Sequence, residues 1–399
     1  MIAGWLGFAG PARAQYTCTQ ARPAGPVFSR ADLADSGRGL VVTAVDDTAR
    51  SWFGVIDGAS LAGALTPRPE LIPAVAVAAG DGVAMLLGAP QGRASAIQPV
   101  DPVTGVASSA IELASLTGAV GQVTNAAIAY REGSFLVVHD AWFPSGEVAI
   151  HLARVTPRGG LEEAMQLGLE PAPELPIARA VAIAVGGDLT YVAWQAGDVT
   201  RVVRFDAAGA PTDVQAVGWP WIVADEDGIL LVFQPLSAAP TDPLELRRVD
   251  ADGVVTQSWS LTRPAGAGYA RAARAFGALG FVWDVDGMAW LYTFAPGETA
   301  PSMTSLGAAT QVVPADGTGA LYVVGLNEAR AAGYESWVTL GAKRDREATL
   351  ETKELARIEG DLDSCDRGCT ATPAGRAPRA GAVVVVLCLL LGGAARRRR

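Results

Sequence analysis

The chain has 399 residues, half of them hydrophobic and 18% charged, and its net charge is −10. That balance excludes extended disorder through the middle of the chain and argues against a nucleic-acid partner, because phosphate binding needs a basic surface. The 46 glycines and 25 prolines are spread along the sequence, as a fold with many short connections requires.

Met1 to Ala14 (MIAGWLGFAGPARA) is apolar and closes on Ala12-Arg13-Ala14, the small-x-small end of a secretory signal peptide. Residues 1–14 are therefore expected to direct export, and residues 15–34, with Cys18, to form an extended lead-in. Over 35–356 the sequence repeats itself. A glycine followed by a β-prone run recurs at Gly39, Gly82, Gly133, Gly187, Gly228, Gly280 and Gly319. A second turn recurs with closing glycines at 105, 159, 209, 253 and 297. The best-formed copy is Trp219 to Leu261, where WPWIVA, GILLVFQP, LELRRVD and VVTQSWSL are separated by Asp-Gly turns and a Pro-containing loop. Asp-Gly between β-prone runs marks a tight hairpin, so each copy is a four-stranded antiparallel meander of about 40 residues. One such unit cannot cover both faces of its sheet and must stack on neighbours. The expected fold is all-β, a β-propeller of about seven four-stranded blades; a string of small β-sandwiches is the structural alternative.

Candidate chemistry inside the repeats is sparse. The two histidines, His139 and His151, lie on runs either side of a Phe-Pro-Ser-Gly turn, where hairpin pairing could bring them together as metal ligands or a base. His139, however, stands in the slot filled by Trp194, Phe233 and Trp283 in other copies, which favours a packed side chain. The acidic turns Asp225-Glu-Asp-Gly, Asp250-Ala-Asp-Gly and Asp284-Val-Asp-Gly resemble the opening of calcium loops but stop after two or three carboxylates. Turn chemistry accounts for them, so no cofactor is expected and calcium is the weaker reading. No nucleophile elbow, phosphate-binding loop or zinc-protease motif is present, and no catalytic or metal residue is named.

Residues 357–379 change character, from an acidic stretch with Cys365 and Cys369 to a Pro/Ala/Gly linker. Residues 380–399 follow: sixteen residues without charge, expected to form an apolar helix, then Arg396, Arg397, Arg398 and Arg399. A terminal arginine block after a short apolar helix sets topology, with the arginines on the cytoplasmic side. Gly368-Cys369-Thr370, the small-residue spacer, the apolar helix and the arginine cluster together resemble the MYXO-CTERM sorting tail of myxobacterial surface proteins. The resemblance covers only the last 35 residues or so. It implies export, membrane capture, cleavage by a sorting protease and display on the cell surface, with Cys369 as the processing site. A plain C-terminal membrane anchor is the alternative.

Cys388 lies in the apolar tail and behaves as a small hydrophobe. Cys18 and Cys365 form one possible disulfide, leaving Cys369 for processing; Cys365 with Cys369 is the other. The function expected from these features is that of an exported cell-surface propeller acting as a binding or scaffolding protein. Its partners would be the membrane through the C-terminal helix and an extracellular protein or glycan. An extracellular carbohydrate-active or other hydrolytic propeller is the alternative.

Overall fold

Runs such as LVVTAVD, SFLVVHDAW and ALGFVWDV are apolar on both faces of an extended chain. A strand of that kind must be covered on both sides, which a sheet with one wet face does not provide. Sheets stacked face to face around an axis do provide it, and leave only short edges. The computed structural model shows this arrangement. It describes residues 27–361 except 89–94, 120–121, 172–180, 187–188, 197–198, 206–211, 215–217, 226, 235–241, 265, 295–299, 309, 318–319 and 331–332. Gly25–Gly360 forms one compact unit.

Blade 1 holds β1 (Phe28–Asp35), β2 (Leu40–Asp46), β3 (Ser51–Ile56) and β4 (Thr66–Pro67). Blade 2 holds β5 (Ala74–Gly80), β6 (Val83–Gly88), β7 (Ala96–Val100) and β8 (Ile111–Glu112), followed by the short helix α1 (Leu113–Thr117). Blade 3 holds β9 (Ala126–Arg131), β10 (Ser134–Trp142), β11 (Glu147–Val155) and β12 (Leu161–Pro171). Blade 4 holds β13 (Val181–Gly186), β14 (Leu189–Ala196), β15 (Val199–Arg204) and β16 (Thr212–Val214). Blade 5 holds β17 (Trp219–Asp225), β18 (Gly228–Gln234), β19 (Leu244–Asp250) and β20 (Val255–Leu261). Blade 6 holds β21 (Ala267–Ala275), β22 (Ala278–Val285), β23 (Met288–Phe294) and β24 (Ser302–Ala308). Blade 7 holds β25 (Thr310–Gly317), β26 (Ala320–Arg330), β27 (Gly333–Lys343) and β28 (Glu351–Asp361).

In each sheet the strands follow sequence order. The first strand of each blade packs against the first strand of the next, and β25 packs against β1, which closes the ring. The fold is a seven-bladed β-propeller. Its strands begin at Phe28, inside the segment expected to be lead-in, and run to Asp361. Of the seven expected strand starts, Gly280 is displaced. The turn lies at Phe276-Gly277, both at positive φ, and Gly280 sits inside β22. A Cβ on Gly280 would meet the Tyr292 carbonyl oxygen at 2.1 Å, so the glycine there serves close strand approach rather than the turn.

Some first strands are rich in alanine, AVAVAAG in β5 and AGYARAARA in β21, where converging blades favour small side chains; β17 (WPWIVAD) and β1 (FSRADLAD) carry larger ones. The second strands send alternate side chains to opposite neighbours. Leu40, Val42 and Ala44 face blade 7, while Val41 faces blade 2. Each of the seven interfaces between adjacent blades has its own apolar cluster. Among the described residues no strand is exchanged between blades 1 and 7, and side chains and loops join them. Their cluster joins Phe28, Leu33 and Ile56 to Tyr322, Leu340 and Leu355, and is the largest of the seven among the described residues. Leu65 N donates to Leu355 O (2.9 Å) and Tyr322 Oη to Gly58 O (3.1 Å). Arg344, just after β27, also donates to Gly58 O (3.2 Å), on the turn joining the third and fourth strands of blade 1. Arg204, at the end of β15, donates in the same way to Ala251 O on the corresponding turn of blade 5. The closing interface thus reuses a latch found inside the ring.

Candidate functional site

The channel is lined by the free edges of the seven first strands, and charged residues there stand out against the alanine background. β1 carries Arg30 and Asp32, and β21 carries Arg271. Val77 N on β5 donates to Asp32 Oδ2 (2.8 Å). The donor is an amide that the pairing with β6 leaves over, so the carboxylate sits at the channel edge of blade 2. Burial among the converging strands pushes the Asp32 carboxyl up to about 6, while the Arg271 charge and the Val77 amide pull the other way. Arg271 belongs to blade 6, so its charge reaches Asp32 across the channel. Its guanidinium carbon lies 4.2 Å from the ring centroid of Trp221 on β17, a cation–π contact between neighbouring blades.

Above these groups, toward the end where the first strands begin, the wall is open. Arg30 lies two residues, about 7 Å, above Asp32 on the same strand. It is exposed and makes no hydrogen bond or ion pair among the described residues. Trp219, two residues above Trp221, is 40% exposed, and Val75 at the start of β5 is 42% exposed. Going round the rim, Trp219 and Trp221 (blade 5), Arg271 (blade 6) and Arg30 with Asp32 (blade 1) occupy one arc. Trp219 offers a flat apolar face and Arg30 a partner for an anion, on strands three blades apart around the ring.

The two histidines do meet. His139 and His151 face each other across β10 and β11, with stacked rings 5.2 Å apart. His139 is fully buried. Its Nδ1 lies 2.9 Å from Asp140 O, which fixes the proton there, and Nε2 lies 3.0 Å from Thr117 Oγ1, whose hydroxyl also reaches Leu113 O. Burial lowers the proton affinity of both imidazoles, and the neighbouring His139 lowers that of His151 further. The adjacent Asp140 accepts from Thr124 N (2.7 Å), Asn125 N (2.8 Å) and Trp142 Nε1 (3.1 Å), pinning the segment that leads into β9. This is a packed core cluster, the packed reading of His139, although His151 Nε2 is buried without a hydrogen-bond partner among the described residues.

The acidic turns are likewise structural. Asp250 Oδ1 accepts from Asp252 N (3.0 Å) and Val254 N (2.8 Å) and so shapes its own turn. Asp286 begins the turn joining β22 and β23, with positive φ at both Asp286 and Gly287. Among the described residues no group of three or more His, Cys, Asp or Glu is placed to hold a metal. Cys18, Cys365, Cys369, the apolar helix expected at 380–395 and Arg396, Arg397, Arg398 and Arg399 lie outside the described residues. Sequence reasoning passed over Arg30, Asp32, Trp219, Trp221 and Arg271. For Arg271 the available signal was a charge set in an alanine-rich run, AGYARAARA, whereas WPWIVAD around Trp219 and Trp221 carries no such background.

No protein-family model matches the chain, and no curated protein matches it. Solved structures do. A structure from a study of two prolyl endopeptidases aligns with a TM-score of 0.54 at 12% identity, over 84% of this chain and 50% of that one. The β-propeller domain of the trilobed protease from Pyrococcus furiosus, described as having an open velcro topology, aligns at 0.43 and 13%, over 83% of this chain and 98% of that one. The WD40 domain of SCAP from fission yeast gives 0.43 and 9%, over 84% and 87%. The chain spans half the length of the endopeptidase. At such identities the likeness concerns the propeller fold alone.

Proposed function

We propose that this chain is an exported cell-surface β-propeller, anchored or sorted by its C-terminal tail, which binds an extracellular protein or glycan at the open mouth of its channel. The observations that carry the binding reading are the exposed indole of Trp219 and the exposed guanidinium of Arg30, which has no partner among the described residues, both on strands that line the channel. Export is supported by the apolar start ending at Ala14, and surface sorting by the layout around Cys369 and Arg396 to Arg399. The propeller serves as a rigid disc that presents one rim to its partner.

Two measurements test this. Intact mass of the protein from its host's membranes is expected to show a chain starting near Gln15 and ending near Cys369; a chain from Met1 to Arg399 would overturn processing at both ends. Retention of the full-length protein on the host's extracellular material is expected to fall at least tenfold when Trp219 and Arg30 are both replaced by Ala. Equal retention would sink the binding site.

A hydrolytic propeller is the second reading, favoured by Asp32, whose carboxyl at about 6 suits a general acid. On that reading Asp32→Asn abolishes turnover of a polymer substrate and leaves its binding intact.

A further inference from the structure

The four cysteines avoid the blades. No cysteine lies between Cys18 and Cys365, and Cys388 belongs to the apolar tail. Resting on the export reading above, we infer that Cys18 and Cys365 form a disulfide that ties the chain entering blade 1 to the chain following blade 7 and so closes the ring covalently.

Three observations argue for this bond. First, the start of β1 and the later part of β28 meet at one place on the ring. Phe28 N donates to Ser336 Oγ on β27 (3.2 Å), and the carboxylate of the neighbouring Glu335 lies 2.8 Å from Arg357 Nη1 on β28. Phe28, Leu355, Ala356 and Ile358 also share one apolar cluster. Second, the reach suffices. Cys18 stands ten residues before Phe28, and Cys365 seven after Ile358. Extended chain of those lengths spans up to about 33 and 23 Å, and a disulfide needs its Cα atoms within about 7 Å of each other. Third, blades 1 and 7 exchange no strand among the described residues. A cross-link between their chain ends supplies what a shared sheet would. It also closes a loop around nearly the whole chain, where restricting the unfolded state counts most. The competing pair, Cys365 with Cys369, closes a loop of three intervening residues and gains little by that measure. It would also consume the residue read as the processing site and leave Cys18 without a partner. The bond forms by thiol–disulfide exchange. The two thiols give up two protons and two electrons to a protein disulfide of the exporting compartment, which is left as a dithiol.

Full-length protein from the host's membranes is alkylated without reductant and digested with trypsin, which cuts after Arg367 and so separates Cys365 from Cys369. The expected result is the Cys18 peptide, ending at Arg30, linked to peptide 358–367 until reductant splits them. Cys18→Ser is expected to free the Cys365 thiol and to lower the melting temperature by about 5 °C, to where reductant brings the unmodified protein. A second sample is refolded in detergent with a glutathione redox buffer. Peptide 358–367 linked to 368–376, or free thiols at Cys18 and Cys365 in both samples, overturns the pairing. Equal melting of Cys18→Ser and the unmodified protein overturns its part in closure. Failure of the export reading looks different. If the refolded protein holds the link and the membrane sample does not, the ends pair as inferred and export falls. If a chain starting near Gln15 holds the link in neither sample, export stands and the bond falls.

Discussion

His139 occupies a slot that sister blades fill with Trp194, Phe233 and Trp283, all buried, so the blade tolerates an imidazole only while it is neutral. Burial holds both stacked histidines below the usual value near 6.5, which means the unfolded chain takes up protons that the folded chain refuses. Their contribution to stability is complete above about 6.5 and is lost as pH falls below it. Melting at pH 5 should therefore come at a lower temperature than at pH 7.5, and His139→Phe should narrow that gap; an unchanged gap would refute the assignment. Asp32 acts in the opposite direction. With its carboxyl raised to about 6, its contribution is greatest below about 4 and is lost as pH rises through 6. Asp32→Asn should accordingly gain melting temperature relative to the unmodified protein at pH 7.5 but not at pH 4. Gly80 supplies a steric case. A Cβ there would fall 2.1 Å from the Tyr130 ring, which is packed edge-on against Phe135. Gly80→Ala should cost about 1–3 kcal/mol in urea unfolding through overpacking.

At the scale of strands and turns, much of the fold was legible and most of the site was not, for a common reason. Second strands such as β10 and β18 are covered on both faces, so they are largely Val/Leu/Phe runs that follow a Glu-Gly or Asp-Gly turn, and that signal is strong. First strands are selected for smallness near the axis, and alanine has little β-propensity. FSRADLAD therefore read as lead-in although it is β1, and with it went Arg30 and Asp32. The histidine pairing was legible because a hairpin fixes register, whereas the opposition of Asp32 and Arg271 needs closure of the whole ring. Turns also tie blades together. Arg344 and Arg204 each hold carbonyl oxygens of the next blade's outer turn, and Arg344 does so where no strand crosses. Arg344→Ala should lower stability by about 1–3 kcal/mol, since hydrogen bonds from a charged donor are lost and carbonyls are left without it. Urea titration of Arg344→Ala and Arg204→Ala side by side checks this, and no loss in either would show the latches to be incidental.

At the scale of the whole ring, the described residues of blades 1 and 7 meet by packing rather than by a shared sheet. The cluster between blades 1 and 7 buries Tyr322, Leu340 and Leu355 against Phe28 and Ile56. Leu340→Ala should cost about 2–5 kcal/mol, and the loss should appear as one cooperative transition if the ring opens and unfolds together. A separate early transition would mean that blade 7 comes away alone. The arrangement of the ends also sets how the molecule bears load. β28, which ends at Asp361, is the outermost strand of its sheet and among the described residues pairs with β27 alone. Tension applied there unzips one ladder bond at a time, and no described strand of blade 1 is woven in to share it. Tension at the other end falls on β1, at the axis, wedged between blades 2 and 7. The propeller is thus mechanically polar, weak to a pull from its C-terminal side and strong from its N-terminal side.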